Sequence, residues 1–250
     1  KAFFRRVRAG ENEPGYPRFK GYGRYDSLGY KQFGNGIKIK DNRLVLSGIG
    51  HIKTVFHREL VGTPKTAIIK RSSTNKWYVS FSCEIDNMES LPKSELNVGI
   101  DVGLETFAYL SDDSKIENPR FFKTEEKQLA KANRKLAKFP KPEKGTHSSK
   151  ERLKAKKTLC RVHERVKFKR EDFSHQESRK IINTYQIICI EDLSINRMKE
   201  NSFKTIKKSI SDVAWSTFFE LLRVKAEEAG RSVIAVNPAY TSQDCSSCGY

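Results

Sequence analysis

Apolar residues recur at every second position over much of the first third of the chain. Between Gly36 and Asp86 the runs Ile37/Ile39, Leu44/Leu46, Ile52/Thr54/Phe56, Ile68/Lys70 and Trp77/Val79/Phe81/Cys83 alternate with polar neighbours and are separated by Gly, Asn or Pro. That period predicts several short antiparallel strands, hence a small barrel or sandwich. Leu91-Pro-Lys-Ser-Glu95 reads as a linker. Beyond it the pattern changes. Leu96-Asn-Val-Gly-Ile-Asp-Val-Gly103 and Thr106-Phe-Ala-Tyr-Leu110 form a predicted hairpin, followed by apolar spacing of helical type at Leu129, Ala132, Leu136 and Phe139 and again at Leu159, Val162, Val166 and Phe173. Pro140 to Ser149 separates these two helices, with Thr146 or Ser148 as N-cap of the second. Tyr185-Gln-Ile-Ile-Cys-Ile190 is a buried-strand pattern, 212–230 an amphipathic helix starting at Asp212 and capped by Gly230, and Arg231–Val236 a last strand. The order of strand, hairpin, helices, strand, helix, strand predicts an α/β domain with a mixed sheet.

Chemistry enters where two of these strands end in acids. Asp101 closes an apolar run between Gly99 and Gly103, and Glu191-Asp192 closes another ninety residues later. If the two strands lie side by side and parallel, their tips sit about 4.8 Å apart. Asp101 and Glu191 are then placed to share a pair of divalent metals, which in phosphoryl-transfer sites lie about 3.5–4 Å apart. The alternative is that each is a solvated strand-end acid. Asp192 is set aside as a ligand because the next residue along a strand faces the other way.

Charge narrows the partner. The 250 residues carry 48 Lys/Arg against 30 Asp/Glu, a formal net charge of +18, which points to a polyanion. No stretch approaches the roughly 20 apolar residues of a spanning helix, and the beginning lacks an apolar signal core, so a soluble intracellular protein is expected. Residues 123–170 alone hold 18 Lys/Arg and 5 Glu. An excess so one-sided predicts a helical hairpin, 123–184, that meets phosphates, with Lys154, Lys156, Lys157 and Arg161 as contacts; a merely solvated face is the alternative. Residues 1–40 interleave cations, among them Arg5, Arg6, Arg18, Lys20 and Arg24, with aromatics such as Phe3, Tyr16, Phe19 and Tyr22. Cations beside rings suit single-stranded or irregular RNA, whereas a basic arm whose rings pack on the neighbouring domain has the same composition. Cys83, Cys160 and Cys189 lie in apolar patterns and read as reduced core residues. Cys245-Ser-Ser-Cys248-Gly is a knuckle offering two thiolates to a zinc ion that wants four ligands.

Three motifs taken together resemble one family: Gly99-Ile-Asp101-Val-Gly, Ile188-Cys-Ile-Glu191-Asp-Leu, and Pro238-Ala-Tyr-Thr-Ser-Gln-Asp-Cys-Ser-Ser-Cys-Gly249. They look like the TnpB (OrfB) family of insertion-sequence-encoded RNA-guided nucleases, relatives of the type V CRISPR effectors. Phe3-Phe-Arg-Arg6, Gly15-Tyr-Pro-Arg-Phe-Lys20 and Trp77-Tyr-Val-Ser-Phe81 extend the likeness to the family's guide-RNA-holding barrel. The resemblance implies an α/β fold: a RuvC (ribonuclease H-like) nuclease domain over 96–237, preceded by a basic arm (1–35) and a wedge-like β-barrel (36–95), with the start of a zinc ribbon at 238–250.

It further implies RNA-guided cleavage of DNA phosphodiesters by the two-metal route, with Asp101 and Glu191 as catalytic carboxylates holding Mg²⁺, one ion activating water and the other stabilising the leaving oxygen. Cys245 and Cys248 would hold a structural Zn²⁺, the partners are a guide RNA and target DNA, and the setting is the cytoplasm or nucleoid of a cell hosting a prokaryotic or viral mobile element. The family also has a second cysteine pair and a third catalytic aspartate, neither of which occurs in these 250 residues. The expectation is therefore a shortened or degenerate copy. Two other readings stay open: a cleavage-deficient RNA-guided DNA binder, and an unguided DNA-binding transposase accessory protein.

Overall fold

The computed structural model describes the chain except residues 1, 12, 14, 17–20, 22–24, 87–89, 144–145, 195–197, 199, 201–202 and 239–250. It divides into two compact units, Lys1–Asp86 and Asn87–Tyr250.

The first unit contains a short helix, α1 (Ala2–Arg8), and six strands: β1 (Ser27–Tyr30), β2 (Ile37–Lys40), β3 (Arg43–Leu46), β4 (Gly50–Lys53), β5 (Thr63–Arg71) and β6 (Trp77–Glu84). They make two antiparallel three-stranded sheets, β1-β5-β6 and β2-β3-β4. Ile37, Leu44 and Leu46 from one sheet and Ala67 and Ile69 from the other share a single apolar core, closed by Val79, Phe81 and Phe33. The β2–β3 hairpin turns through Asp41 and Asn42, both with positive φ (50° and 54°), the conformation whose twist matches that of the flanking strands. Two expectations change here. The segment read as an arm contributes β1 to a sheet. In β5 the alternation has the opposite phase: Ala67 and Ile69 face the core, while Ile68 and Lys70 face out. The in-register pairs Ala67↔Phe81 and Ile69↔Val79 explain this, because the neighbouring strand's apolar face sets which residues of β5 are buried. Gly62 (φ +79°) is required where it stands, since a Cβ there would lie 2.2 Å from the Glu84 carbonyl oxygen.

The second unit is built on a five-stranded sheet of order β11-β10-β7-β8-β9, from β7 (Asn97–Val102), β8 (Thr106–Leu110), β9 (Lys115–Glu117), β10 (Ile187–Glu191) and β11 (Ser232–Val236). β7, β8 and β9 form an antiparallel meander, and β10 and β11 run parallel to β7. Two helices, α2 (Phe121–Ala137) and α3 (Lys150–Thr184), make a hairpin whose seam buries Ala132, Ala155, Val162 and Val166. The C-terminal part of α3 joins α4 (Lys204–Val213) and α5 (Trp215–Ala229) over one face of the sheet. There Ile181, Ile182, Phe218, Phe219 and Leu222 pack on Val98, Ile100, Ile188 and Ile190. Phe107 lies edge-on to Phe173 and Phe218, with centroids 4.9 and 5.0 Å away.

Several boundaries differ from the sequence reading. Ser149, rather than Thr146 or Ser148, caps α3 by accepting the Arg152 N–H at 3.2 Å. Tyr185 closes α3 instead of opening β10. The helix expected from Asp212 is two helices, because Ala214 adopts the left-handed conformation (φ 58°) and breaks them apart. Asp212 therefore lies in the last turn of α4. Gly230 is the left-handed C-cap of α5 (φ 67°), as its position predicted.

Candidate active site and nucleic-acid interface

The register of the parallel pair decides where the acids stand. Ile188 lies opposite Val98 and Ile190 opposite Ile100. Those four side chains are buried beneath the helices. By strand alternation Gly99, Asp101, Cys189 and Glu191 occupy the other face, and Asp101 and Glu191, one step beyond the Ile100–Ile190 pair, come to the tips of neighbouring strands. Asp101 is exposed and Glu191 half-buried. Tyr109 on β8 is the cross-strand partner of Asp101, and its phenol oxygen accepts a hydrogen bond from Thr106 Oγ1 at 3.0 Å.

The glycines beside Asp101 serve the hairpin. The Gly99 N–H donates to Ser111 Oγ at 2.9 Å, and Gly103 donates to the Phe107 carbonyl at 3.2 Å, with Thr106 O only 3.0 Å from where a Gly103 Cβ would be. A side chain at Gly103 would crowd the hairpin, whereas one at Gly99 would meet only an ordinary contact with Ser111. Past Glu191, the Asp192 N–H donates to the Val236 carbonyl at 2.9 Å, tying the strand end to β11.

A cavity of about 260 Å³ opens beside Glu191, bordered by Asp192, Ser194, Ser216, Phe219 and Arg223. Asp192 thus borders the same space as Glu191, because β10 ends at Glu191 and strand alternation no longer governs its neighbour. Ser216, Phe219 and Arg223 come from one face of α5 at helical spacing, a signal present in the sequence but meaningful only once α5 is known to start at Trp215. Among the described residues no three His, Cys, Asp or Glu side chains group to hold a metal; Asp101 and Glu191 are the candidate carboxylates, and Asp192 borders the cavity beside Glu191. Their donors are hard oxygens of the kind Mg²⁺ takes. Cys189, on the same face one pleat back, is a soft donor that Mg²⁺ does not take.

Lys154, Lys156 and Arg161 are exposed on α3, and Lys157 is half-buried. Lys154, Lys157 and Arg161 share a helix face at spacings of three and four. Further along α3 the cations turn inward. Lys169 donates to the buried Glu125 at 2.9 Å, with Arg165 at 3.5 Å, and the Lys169 hydrogen bond holds the Glu125 carboxyl below the usual glutamate range despite its burial. Arg170 pairs with Asp212, which also accepts the Phe122 N–H with both oxygens, at 3.0 and 3.1 Å, and so caps α2 from another element. On α1, Arg5 is exposed and Arg6 half-buried. Arg18, Lys20, Arg24, Cys245 and Cys248 lie outside the described residues. Among the described residues the three cysteines, Cys83, Cys160 and Cys189, are free thiols, and no helix is long and apolar enough to cross a membrane.

Two family models match this chain. One, OrfB_IS605, described as "Probable transposase", matches residues 80–202; the other, the TNB domain of Cas12f1-like proteins, matches 215–250, so together they span well over half of the sequence. The chain belongs to the TnpB (OrfB) family. A curated relative of this TnpB-family chain, "Putative RNA-guided DNA endonuclease InsQ" of Escherichia coli (strain K12), is 29% identical over 100% of this chain and 62% of its own length. Another, "Putative RNA-guided DNA endonuclease" of Streptomyces pristinaespiralis, is 32% identical over 74% of this chain and 44% of its own length. The chain therefore spans less than two thirds of either relative. The fold matches that of Cas12f1 in a cryo-EM complex with sgRNA and target DNA, with a TM-score of 0.50 and 20% identity over 75% of this chain and 38% of that one. A likeness at that identity is one of fold: this TnpB-family chain shares a mixed α/β architecture with Cas12f1.

Proposed function

We propose that this TnpB-family chain carries the RuvC-type nuclease site of an RNA-guided DNA endonuclease, with Asp101 and Glu191 as its catalytic carboxylates. The observation that carries the reading is the register of β7 and β10, which brings the two acids to adjacent strand tips on the face opposite the helices. The names of the curated relatives, both RNA-guided DNA endonucleases, support the activity, and a guide RNA and target DNA are the partners it requires. Asp101 and Glu191 would hold Mg²⁺, which when bound supplies an activated water and stabilises the leaving 3′ oxygen. The residues themselves position: Tyr109 flanks Asp101, and the Asp192 backbone bond to β11 fixes the end of β10 that bears Glu191. In this reading 96–237 is the ribonuclease H-like domain, 36–95 the wedge-like barrel, and 238–250 the start of a ribbon whose Cys245 and Cys248 would hold Zn²⁺.

The test begins by sequencing RNA that copurifies with the protein and programming the protein with it. A version of the protein that carries the family's third catalytic aspartate is expected to cut matching DNA in Mg²⁺, whereas its Asp101→Ala and Glu191→Ala variants bind the same DNA and leave it whole. Normal cutting by Asp101→Ala overturns the assignment. Guided binding without cutting by wild type identifies a cleavage-deficient binder instead.

A further inference from the structure

Asp101 on β7 lies opposite Tyr109 on β8, and Tyr109 lies opposite Lys115 on β9, so three exposed side chains form a row across three strands. Residues directly opposite each other in antiparallel strands have their Cβ atoms about 4.5–5.5 Å apart. Tyr109 is 53% exposed, which leaves its hydroxyl within reach of a ligand, yet that hydroxyl is held in place. Thr106, only 6% exposed, donates its own hydroxyl to the Tyr109 oxygen at 3.0 Å. Because β8 runs antiparallel to β7, Thr106 stands nearer than Tyr109 to the end where β7 finishes, and the hydrogen bond draws the phenol toward that end. An oxygen that accepts from Thr106 keeps its own proton to donate, and among the described residues nothing accepts it. Lys115 differs, for its ammonium is engaged by Glu117 at 2.9 Å, a hydrogen bond that raises its pKa above the ordinary lysine value. The row therefore sets one carboxylate beside one uncommitted O–H donor, and a buried threonine fixes the donor.

We propose that Tyr109 is a further catalytic residue of the nuclease site, its phenol donating a hydrogen bond to a non-bridging oxygen of the DNA phosphodiester cut beside Asp101. In phosphoryl transfer the transition state spreads its charge over the non-bridging oxygens, and a donor fixed in advance stabilises that charge without reorganisation. Water forms the new bond to phosphorus and the bond to the 3′ oxygen breaks, while the phenol keeps its proton throughout. Thr106 acts through Tyr109 and is a positioning residue. A neutral donor suits this place, because a cation beside Asp101 would pair with the carboxylate as Lys169 does with Glu125. The inference rests on the reading of Asp101 as a catalytic carboxylate and adds a group that touches the substrate.

Two measurements test the role of Tyr109. The first follows single-turnover cleavage of matching DNA in Mg²⁺ by the protein that carries the third aspartate, programmed with its copurifying RNA, and by its Tyr109→Phe, Thr106→Val and double variants. Tyr109→Phe is expected to slow cleavage roughly ten- to hundredfold, the worth of one hydrogen bond to a charged group, with guided DNA affinity and thermal midpoint unchanged. Thr106→Val should cost less, and nothing further once residue 109 is Phe, whereas two independent structural effects would multiply. A Tyr109→Phe rate equal to the parent's overturns the proposal, and so does a Thr106→Val loss of the same size in both backgrounds. The second measurement uses the 250-residue chain itself, free and bound to guide RNA and target DNA in Ca²⁺, and reads nitration of Tyr109 by tetranitromethane in peptide mass spectra. Tyr109 should react in the free protein and lose that reactivity in the complex; equal nitration in both is equally fatal. Should Thr106→Val not fold, the Tyr109→Phe rate and the nitration each decide alone. If Tyr109→Phe changes nothing while Asp101→Ala abolishes cutting, the proposal fails and the nuclease reading stands; if Asp101→Ala cuts normally, or the parent does not cut, both fail.

Discussion

Two pairs of acids in the second unit look alike in sequence and are set to opposite uses by their surroundings. Glu125 and Asp212 are nearly buried, with side chains 8% and 13% exposed, and each is enclosed by cations: Lys169 and Arg165 around the first, Arg170 around the second. Asp101 and Glu191 stand at strand tips, one exposed and one beside an open cavity. A carboxylate already neutralised by lysine or arginine has its oxygens committed to structure, whereas one exposed at a rigid strand tip, as Asp101 is, can give them to a metal. Burial and hydrogen bonding alone would nominate Glu125 and Asp212 instead. Glu125 joins the two helices of the hairpin and Asp212 ties that hairpin to α4, whereas the strand-tip acids carry the proposed chemistry.

The contrast breaks or sharpens under mutation. The largest effect is expected at Asp101→Ala, which should reduce guided cleavage about a thousandfold, equivalent to the several kcal/mol a metal supplies to the transition state, while leaving the urea midpoint in place. A variant that cuts normally, or that unfolds, would put Asp101 with the structural pair. Next comes Asp212→Ala, which removes both the Arg170 partner and the cap on α2; a loss of about 3 kcal/mol in urea unfolding is expected, and an unchanged midpoint would remove Asp212 from the structural pair.

Glu125 gives a pH signature. Its folded-state pKa is lowered, chiefly by the Lys169 hydrogen bond, so its contribution is fully present above the ordinary glutamate range and is lost as pH falls through the lowered value. Glu125→Gln should flatten the acid limb of the stability curve. An identical limb in the variant would show that the pair contributes nothing. The smallest effects belong to single cations on α3: Lys154→Gln, Lys156→Gln, Lys157→Gln and Arg161→Gln should each reduce the salt slope of nucleic-acid binding by about 0.7–0.9 without changing stability. Destabilisation by any of them would mean that this part of α3 pairs its charges as its C-terminal half does.

Much of the architecture was legible because periodicity reports burial directly. The β7–β8 hairpin, the paired helices and the Gly230 cap follow from local patterns that tertiary packing did not overturn. The catalytic candidates were legible too, since an acid closing a buried strand is a local feature. What was misread depended on neighbours. Ile68 and Ala67 compete for the core face of β5 with similar local credentials, and pairing with Phe81 and Val79 settles it. The break at Ala214 carries no Gly or Pro to announce it. The three-residue β9 is too short to show a period.

The sequence by itself determined most of the strands and the two helices of the hairpin, that the chain is strongly basic, and that Asp101 and Glu191 end buried strands, because each of these is a property of residues close in sequence. Only the tertiary structure decided that the strands ending in those two acids are neighbours, that Asp212 caps a helix ninety residues away, and that Asp101, Tyr109 and Lys115 form one row. Each is a matter of register or packing between distant segments, and a charge acquires its role only from the groups that the fold sets beside it.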